Sequence, residues 1–214
     1  MPKFSSNSNL MKKILFSSIV VMMFYSPLKA QDFNGGKQSF HAGVSFPNAL
    51  SNFAFQEIMQ GLINLQAHYQ YSVLNQLYVG AGLKNNYFTI NEFKTPTGVN
   101  GGMHIGGPFI KLGYEEYFGR VGFDFGVNTS YNINRVSATN TRYTFDAFAF
   151  EPTVGLSLTA TEKSSYRLNL SWANYGFVFK PHMLNENKLA GLNPEELTKG
   201  SNAFTIGFSY ALYF

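Results

Sequence analysis

The chain has no cysteine, so disulfide staples and thiolate metal sites are excluded. Charge is scarce as well: Asp, Glu, Lys and Arg make up 13% of the residues, fewer than the 17% that are Phe, Tyr or Trp. A soluble domain needs a wetter surface than that balance provides. Long apolar runs are missing beyond one near the N-terminus, and mean hydropathy is −0.09, which excludes a bundle of membrane-spanning helices. A surplus of basic residues is absent once position is considered. Sixteen Lys plus Arg stand against twelve Asp plus Glu, but Lys3, Lys12, Lys13 and Lys29 precede residue 31 in a stretch with no acid. The remainder is neutral, and no basic footprint for nucleic acid remains.

The single apolar run extends from Ile14 to Ser26, behind Lys12 and Lys13 and ahead of Pro27-Leu28-Lys29-Ala30. That order of basic, apolar and small residues reads as a secretory signal peptide over 1–30, cleaved after Ala30, with Met11 an alternative start. The run is shorter than the roughly 20 residues a membrane helix needs. Residues 31–214 then suffice for one domain.

What the chain does contain is alternation with a period of two. In the last segment Phe204, Ile206, Phe208, Tyr210, Leu212 and Phe214 share one face, opposite Thr205, Gly207, Ser209 and Ala211. Seven earlier segments repeat the pattern. Their large apolar members are Phe40 to Phe46, Ile63 to Tyr71, Leu77 to Leu83, Ile110 to Tyr114, Val121 to Ile133, Phe148 to Leu158 and Tyr166 to Trp172. The opposite faces carry His41 and Ser45, Asn64 to Ser72, Tyr78 to Lys84, Lys111 and Glu115, Asp124 to Asn132, Glu151 to Ser157, and Arg167 to Ser171. Segments of about 9 to 11 residues with an apolar outer and a polar inner face suit tilted strands that meet lipid on one side and a lumen on the other. The fold class is therefore all-β: a closed antiparallel up-and-down transmembrane β-barrel of about eight strands. Alternation falters near Asn85 and Asn86, as expected at the edge of the lipid zone.

The links support this reading. Those around 73–76, 118–120 and 161–165 are short, while 47–60, 93–103, 134–142 and 181–200 are longer. Short turns on one side and long loops on the other match a barrel with both termini in the periplasm. Tyr69, Tyr71, Tyr114, Tyr166 and Phe214 would line the short-turn interface.

The terminal pattern Phe208, Tyr210, Leu212, Phe214 resembles the closing-strand signal of bacterial outer-membrane barrels. Residues 37–214 as a whole resemble small eight-stranded barrels of the OmpA and OmpX type. The resemblance implies a cell outer-membrane location, delivery by periplasmic chaperones and the barrel-assembly machinery, and contact with the lipid bilayer and lipopolysaccharide. An eight-stranded lumen is just wide enough for its own side chains, which argues against a general-diffusion porin.

Candidate functional residues fall into two groups. Lys84, Lys111 and Arg167 face inward with Glu115, Asp124 and Glu151, and their pairing would form a lumen network; a proton or ion path is the alternative. In the loop 47–61 the apolar residues Phe53, Phe55, Ile58 and Met59 form either a docking surface or a fold over the barrel mouth. Asn193-Pro194-Glu195-Glu196 reads as a helix start, and long loops of this kind suit recognition of a partner protein, a glycan or lipopolysaccharide. The principal alternative is an enzyme acting on lipid A, a hydrolase or an acyltransferase, which needs His beside Ser. His41 and Ser45 share a face but lie too far apart along a strand. His68 reads as a lumen filler, and His104 and His182 lie near loops without a serine motif. No metal spacing and no cofactor motif appears, and Gly98, Gly101, Gly102, Gly106 and Gly107 lack the ending of a phosphate loop and read as loop glycines. A conduit for hydrophobic ligands would need an apolar lumen opening sideways, opposite to the polar lumen expected.

Overall fold

A computed structural model describes residues 37–91, 93, 100–138, 141–184 and 198–214. Among them eight strands form one closed barrel in sequence order, β1 (Gln38–Ser51), β2 (Met59–Ser72), β3 (Leu77–Ile90), β4 (Gly101–Phe118), β5 (Val121–Ala138), β6 (Thr141–Thr161), β7 (Ser164–Asn174) and β8 (Asn202–Tyr213). Every neighbouring pair is antiparallel, and β1 closes on β8 with Phe40 opposite Leu212 and Phe46 opposite Ile206. Through the apolar band closure leaves no strand edge unpaired, the condition for a sheet in lipid, while beyond it Thr141 to Ala149 of β6 pair with β5 alone. Both barrel termini lie at the end that carries the turns at 73–76, 119–120 and 162–163. Among the described residues no helix is long and apolar enough to cross a membrane.

Alternation along each strand sorts the two faces. Leu65, Leu83, Ile110, Leu112, Phe148, Tyr166 and Phe208 point outward and are exposed, while His41, His68, Lys84, Lys111, Asp124, Glu151 and Arg167 are buried inside. Such an exterior is stable only against hydrocarbon. Tyr69, Tyr71, Tyr166 and Phe214 are exposed near the short-turn rim, where Tyr69 donates to Gln38 at 2.5 Å.

Away from that rim the strands run on past the apolar band and the polarity inverts. On β3 the outward residues become Asn85, Tyr87 and Thr89 and the inward ones Asn86, Phe88 and Ile90. On β5 Arg135 and Ser137 face out while Val136 and Ala138 face in. The backbone thus keeps its phase at Asn85 and Asn86, and only the chemistry changes sides.

Two segments expected as loops are regular structure for this reason. Within 47–60, β1 continues to Ser51 and is followed by helix α1 (Phe53–Ile58), after which β2 starts directly at Met59. Within 134–142, β5 runs to Ala138 and β6 begins at Thr141. Link lengths therefore do not alternate strictly between short and long. Gly101, Gly102, Gly106 and Gly107 also belong to strand β4, not to a loop. At Gly107 a side chain would collide with the Tyr131 carbonyl on β5, so the residue is there for close strand approach. Gly98 and the stretch Asn193 to Glu196 lie outside the described residues.

Candidate functional site

The lumen is the place where polar groups converge, and it is built in storeys. Nearest the short turns, strands β4, β5 and β7 bring Glu115, Asp124 and Arg167 together. Arg167 donates from Nη2 to Glu115 Oε1 and lies 3.6 Å from Asp124 Oδ2 through Nη1. Lys111 Nζ bonds Asp124 Oδ1 at 3.0 Å and lies over the Tyr78 ring at 5.0 Å. Tyr78 also donates to Asp124, and Tyr117 donates to Glu115. Tyr213 completes the cluster, 2.5 Å from the Tyr117 hydroxyl, 3.0 Å from Arg167 and 2.9 Å from Ser165. A second pair stands higher: Lys84 Nζ meets Glu151 Oε2 at 2.7 Å, while Ser171 donates to Glu151 Oε1 at 2.5 Å. Each of these cations has an anion beside it, the arrangement that makes buried charge tolerable in a region of low dielectric.

The His residues add a stack. His41 and His68 lie with ring centroids 4.5 Å apart and planes 9° from parallel. His41 does not reach Ser45, which instead accepts from Asn64 at 2.9 Å. Its partner is Ser39, with Oγ 2.8 Å from Nε2. Sequence reasoning missed this contact, although an i, i+2 pair on one strand face signals it. Ser39 and His41 are 2% and 1% exposed, buried in the packed lumen. A cavity of about 30 Å³ lies beside the stack, lined by His68, Asn64, Asn128 and Glu151 among others. This is room on the scale of a water molecule rather than a substrate. Above it Asn86, Asn132 and Asn134 form a layer of buried amides.

The uppermost storey is apolar. Asn52 is the one described non-glycine residue with positive φ, at 63°, and it turns the chain from β1 into α1. Its Oδ1 accepts the Phe55 N–H at 3.0 Å, while its Nδ2 donates to the Phe179 carbonyl at 3.0 Å and the Lys199 carbonyl at 2.9 Å. One buried side chain thus caps the helix and ties it to both arms of the link between β7 and β8. Helix α1 drops Phe55 and Ile58 into the mouth. Phe55 packs on Phe88, Phe179, Phe177 and Tyr175 at ring-centroid distances of 5.0 to 6.2 Å. Met59, Met103, Ile105, Val136, Met183 and Leu184 complete the cluster. Burial holds the Tyr175 phenol protonated, its pKa well above the ordinary value.

Phe55, Ile58 and Met59 are therefore interior residues at 0%, 2% and 2% exposure. They cannot form the docking surface considered for 47–61, and only Phe53 remains half-buried at the rim. The physical reason is that the mouth above the amide layer is lined by apolar side chains, which α1 covers. Tyr175, Phe177 and Phe179 went unnoticed in sequence. Their own two-residue spacing marks them, out of step with Trp172. His104 and His182 lie outside this core, tilted against Tyr87 and edge-on to Tyr143 respectively.

No family model and no curated protein matches the chain. Solved structures do. Neisserial surface protein A aligns with a TM-score of 0.57 over 84% of this chain and 99% of its own, at 12% identity. The fold is that of a small outer-membrane β-barrel. Ail, the attachment invasion locus protein of Yersinia pestis, aligns with a TM-score of 0.47 at 11% identity, over 83% of this chain and 99% of its own. The outer membrane protein OprG from Pseudomonas aeruginosa gives 0.47 and 11%, over 85% and 98%. Within that barrel type the present chain combines an ionic lower lumen with an aromatic plug.

Proposed function

We propose that this protein resides in the outer membrane with its short turns and both termini in the periplasm, and that it has a structural or binding role instead of a transport or catalytic one. The filled lumen carries this reading. A solute would have to part the Arg167–Glu115 and Lys84–Glu151 pairs, cross the amide layer and then displace Phe55 and Phe179. At the outer rim, among the described residues, Arg142, Lys180, His182 and Lys199 are exposed. The rim and the loops it carries, including 181–200, are the surface for a partner protein, a glycan or lipopolysaccharide. Phe208, Tyr210, Leu212 and Phe214 serve delivery, as the strand end read by the assembly machinery.

The test is paired. Purified protein in planar bilayers is expected to show no steady conductance, and replacing residues 185–197 with a short Gly-Ser turn is expected to remove a partner that co-purifies after gentle detergent extraction. Steady ion-selective current from the unmodified protein would overturn the sealed-lumen reading. An unchanged set of co-purifying molecules after loop replacement would overturn the role assigned to that loop.

A further inference from the structure

The outer wall carries a dent where the apolar band gives way to polar residues. Across the sheet Ala42 stands opposite Ala67, and Ala67 opposite Leu83. Nearer the capped end Asn85, Gly106 and Ile133 are cross-strand neighbours. Gly106 contributes no side chain to a row whose other members are full size. The result is a groove of about 830 Å³ running across β1 to β5, with Leu65, Leu83 and Ile133 on its flanks.

One row further up stand Tyr87, His104 and Arg135, again neighbours across the strands. The rings of Tyr87 and His104 lie 4.5 Å apart, and both His104 and Arg135 border the groove. Arg135 is exposed, and among the described residues no carboxylate pairs with it. Asp146, on the neighbouring strand opposite Ile133, accepts instead from the Tyr131 hydroxyl at 2.7 Å. Arg142 adds a second exposed guanidinium on the same side of β6.

This juxtaposition matches one kind of occupant. A groove that opens at the level of the hydrocarbon cannot be reached by a soluble macromolecule, so it is filled by acyl chain. A guanidinium with no carboxylate partner among the described residues, at the upper end of such a groove and at headgroup height, selects an anion that offers paired oxygen acceptors. We infer that the outer wall over β2 to β5 holds one phosphorylated glycolipid of the lipid A class, an acyl chain lying along Ala67 and Gly106 and a phosphate on Arg135 and His104. The choice of an outer-leaflet lipid rests on the orientation proposed above, which puts the capped end outside.

Native mass spectrometry of the full-length protein released from detergent tests this directly, with diphosphoryl lipid A and phosphatidylglycerol titrated separately. The expected result is one retained lipid A per barrel, held about tenfold more tightly than phosphatidylglycerol. Arg135→Gln is expected to reduce that retention by about tenfold by removing the charge-assisted bonds. Gly106→Leu is expected to reduce it by filling the groove. Both variants change only the outer wall and are checked for heat-modifiable gel migration, which reports an intact barrel. Equal retention of the two lipids, or retention of lipid A unchanged in both variants, would overturn the inference. The orientation and the sealed lumen are tested apart from this. Unselective lipid retention by a non-conducting barrel would sink the lipid site alone, whereas protease cleavage of the capped rim only after the outer membrane is opened would sink the orientation.

Discussion

Asn52→Ala offers the clearest test of how the mouth is closed. The substitution strands the Phe55 N–H and the carbonyls of Phe179 and Lys199, all now bonded to Asn52 at 2.9 to 3.0 Å. Loss of the helix cap costs about 1 kcal/mol, the stranded buried carbonyl of Phe179 costs about 1 kcal/mol or more, and the part-buried carbonyl of Lys199 costs less. Ala at a φ of 63° adds about 1 kcal/mol relative to Asn. The sum, about 3 to 4 kcal/mol, falls on opening of the plug and not on the sheet, because no strand pairing depends on the side chain. Hydrogen exchange followed by mass spectrometry separates the two. Amides of α1 should exchange up to about a thousandfold faster, while those of β5 and β6 stay protected. Asn52→Gly keeps the backbone conformation and loses the same bonds, so it should recover about 1 kcal/mol of the deficit. Exchange in α1 within about fivefold of the unmodified protein would refute the reasoning, since that corresponds to only about 1 kcal/mol.

Three further outcomes are expected. Lys84→Met leaves Glu151 buried without its cation and should lower stability in detergent by about 3 to 5 kcal/mol, measured by urea unfolding; adding Glu151→Gln should restore most of the loss, and an additive second loss would contradict the pairing. Phe55→Ala should cost about 3 to 5 kcal/mol, yet single-channel recordings should stay silent because the ion pairs below remain; steady current in this variant would show that the plug alone seals the barrel. Deleting Phe214, which donates from its N–H to Gln38 at 2.9 Å, should reduce the amount reaching the outer membrane while refolding into detergent changes little. Unchanged outer-membrane yield would remove its assembly role.

The part of the fold embedded in lipid was legible because there a single rule relates side-chain polarity to direction. Val121 to Ile133 alternates in chemistry as it alternates in space. Beyond Ile133 the same strand continues with Arg135 outside and Val136 inside, and a reader who equates apolar with outward sees only noise. That is why 134–142 read as a loop, and why alternation faltered at Asn85 and Asn86, where the backbone had merely changed solvent. The lumen charges were locatable for the converse reason: an ionisable residue in an alternating apolar strand has one face available to it. Which cation meets which anion was not legible, since the partners come from different strands and depend on barrel shear. Asn52 was unreadable for another reason. Its three bonds reach 127 and 147 residues along the chain as well as three, and nothing local announces them.

The length of β5 and β6, 18 and 21 residues, bears on recognition. A tilted strand crosses the hydrocarbon in about ten residues, so the remainder raises a hydrogen-bonded wall roughly 20 Å above it. A contact surface carried on such a turret arrives already shaped. Binding there gives up little conformational freedom, so even a small complementary patch can retain a partner.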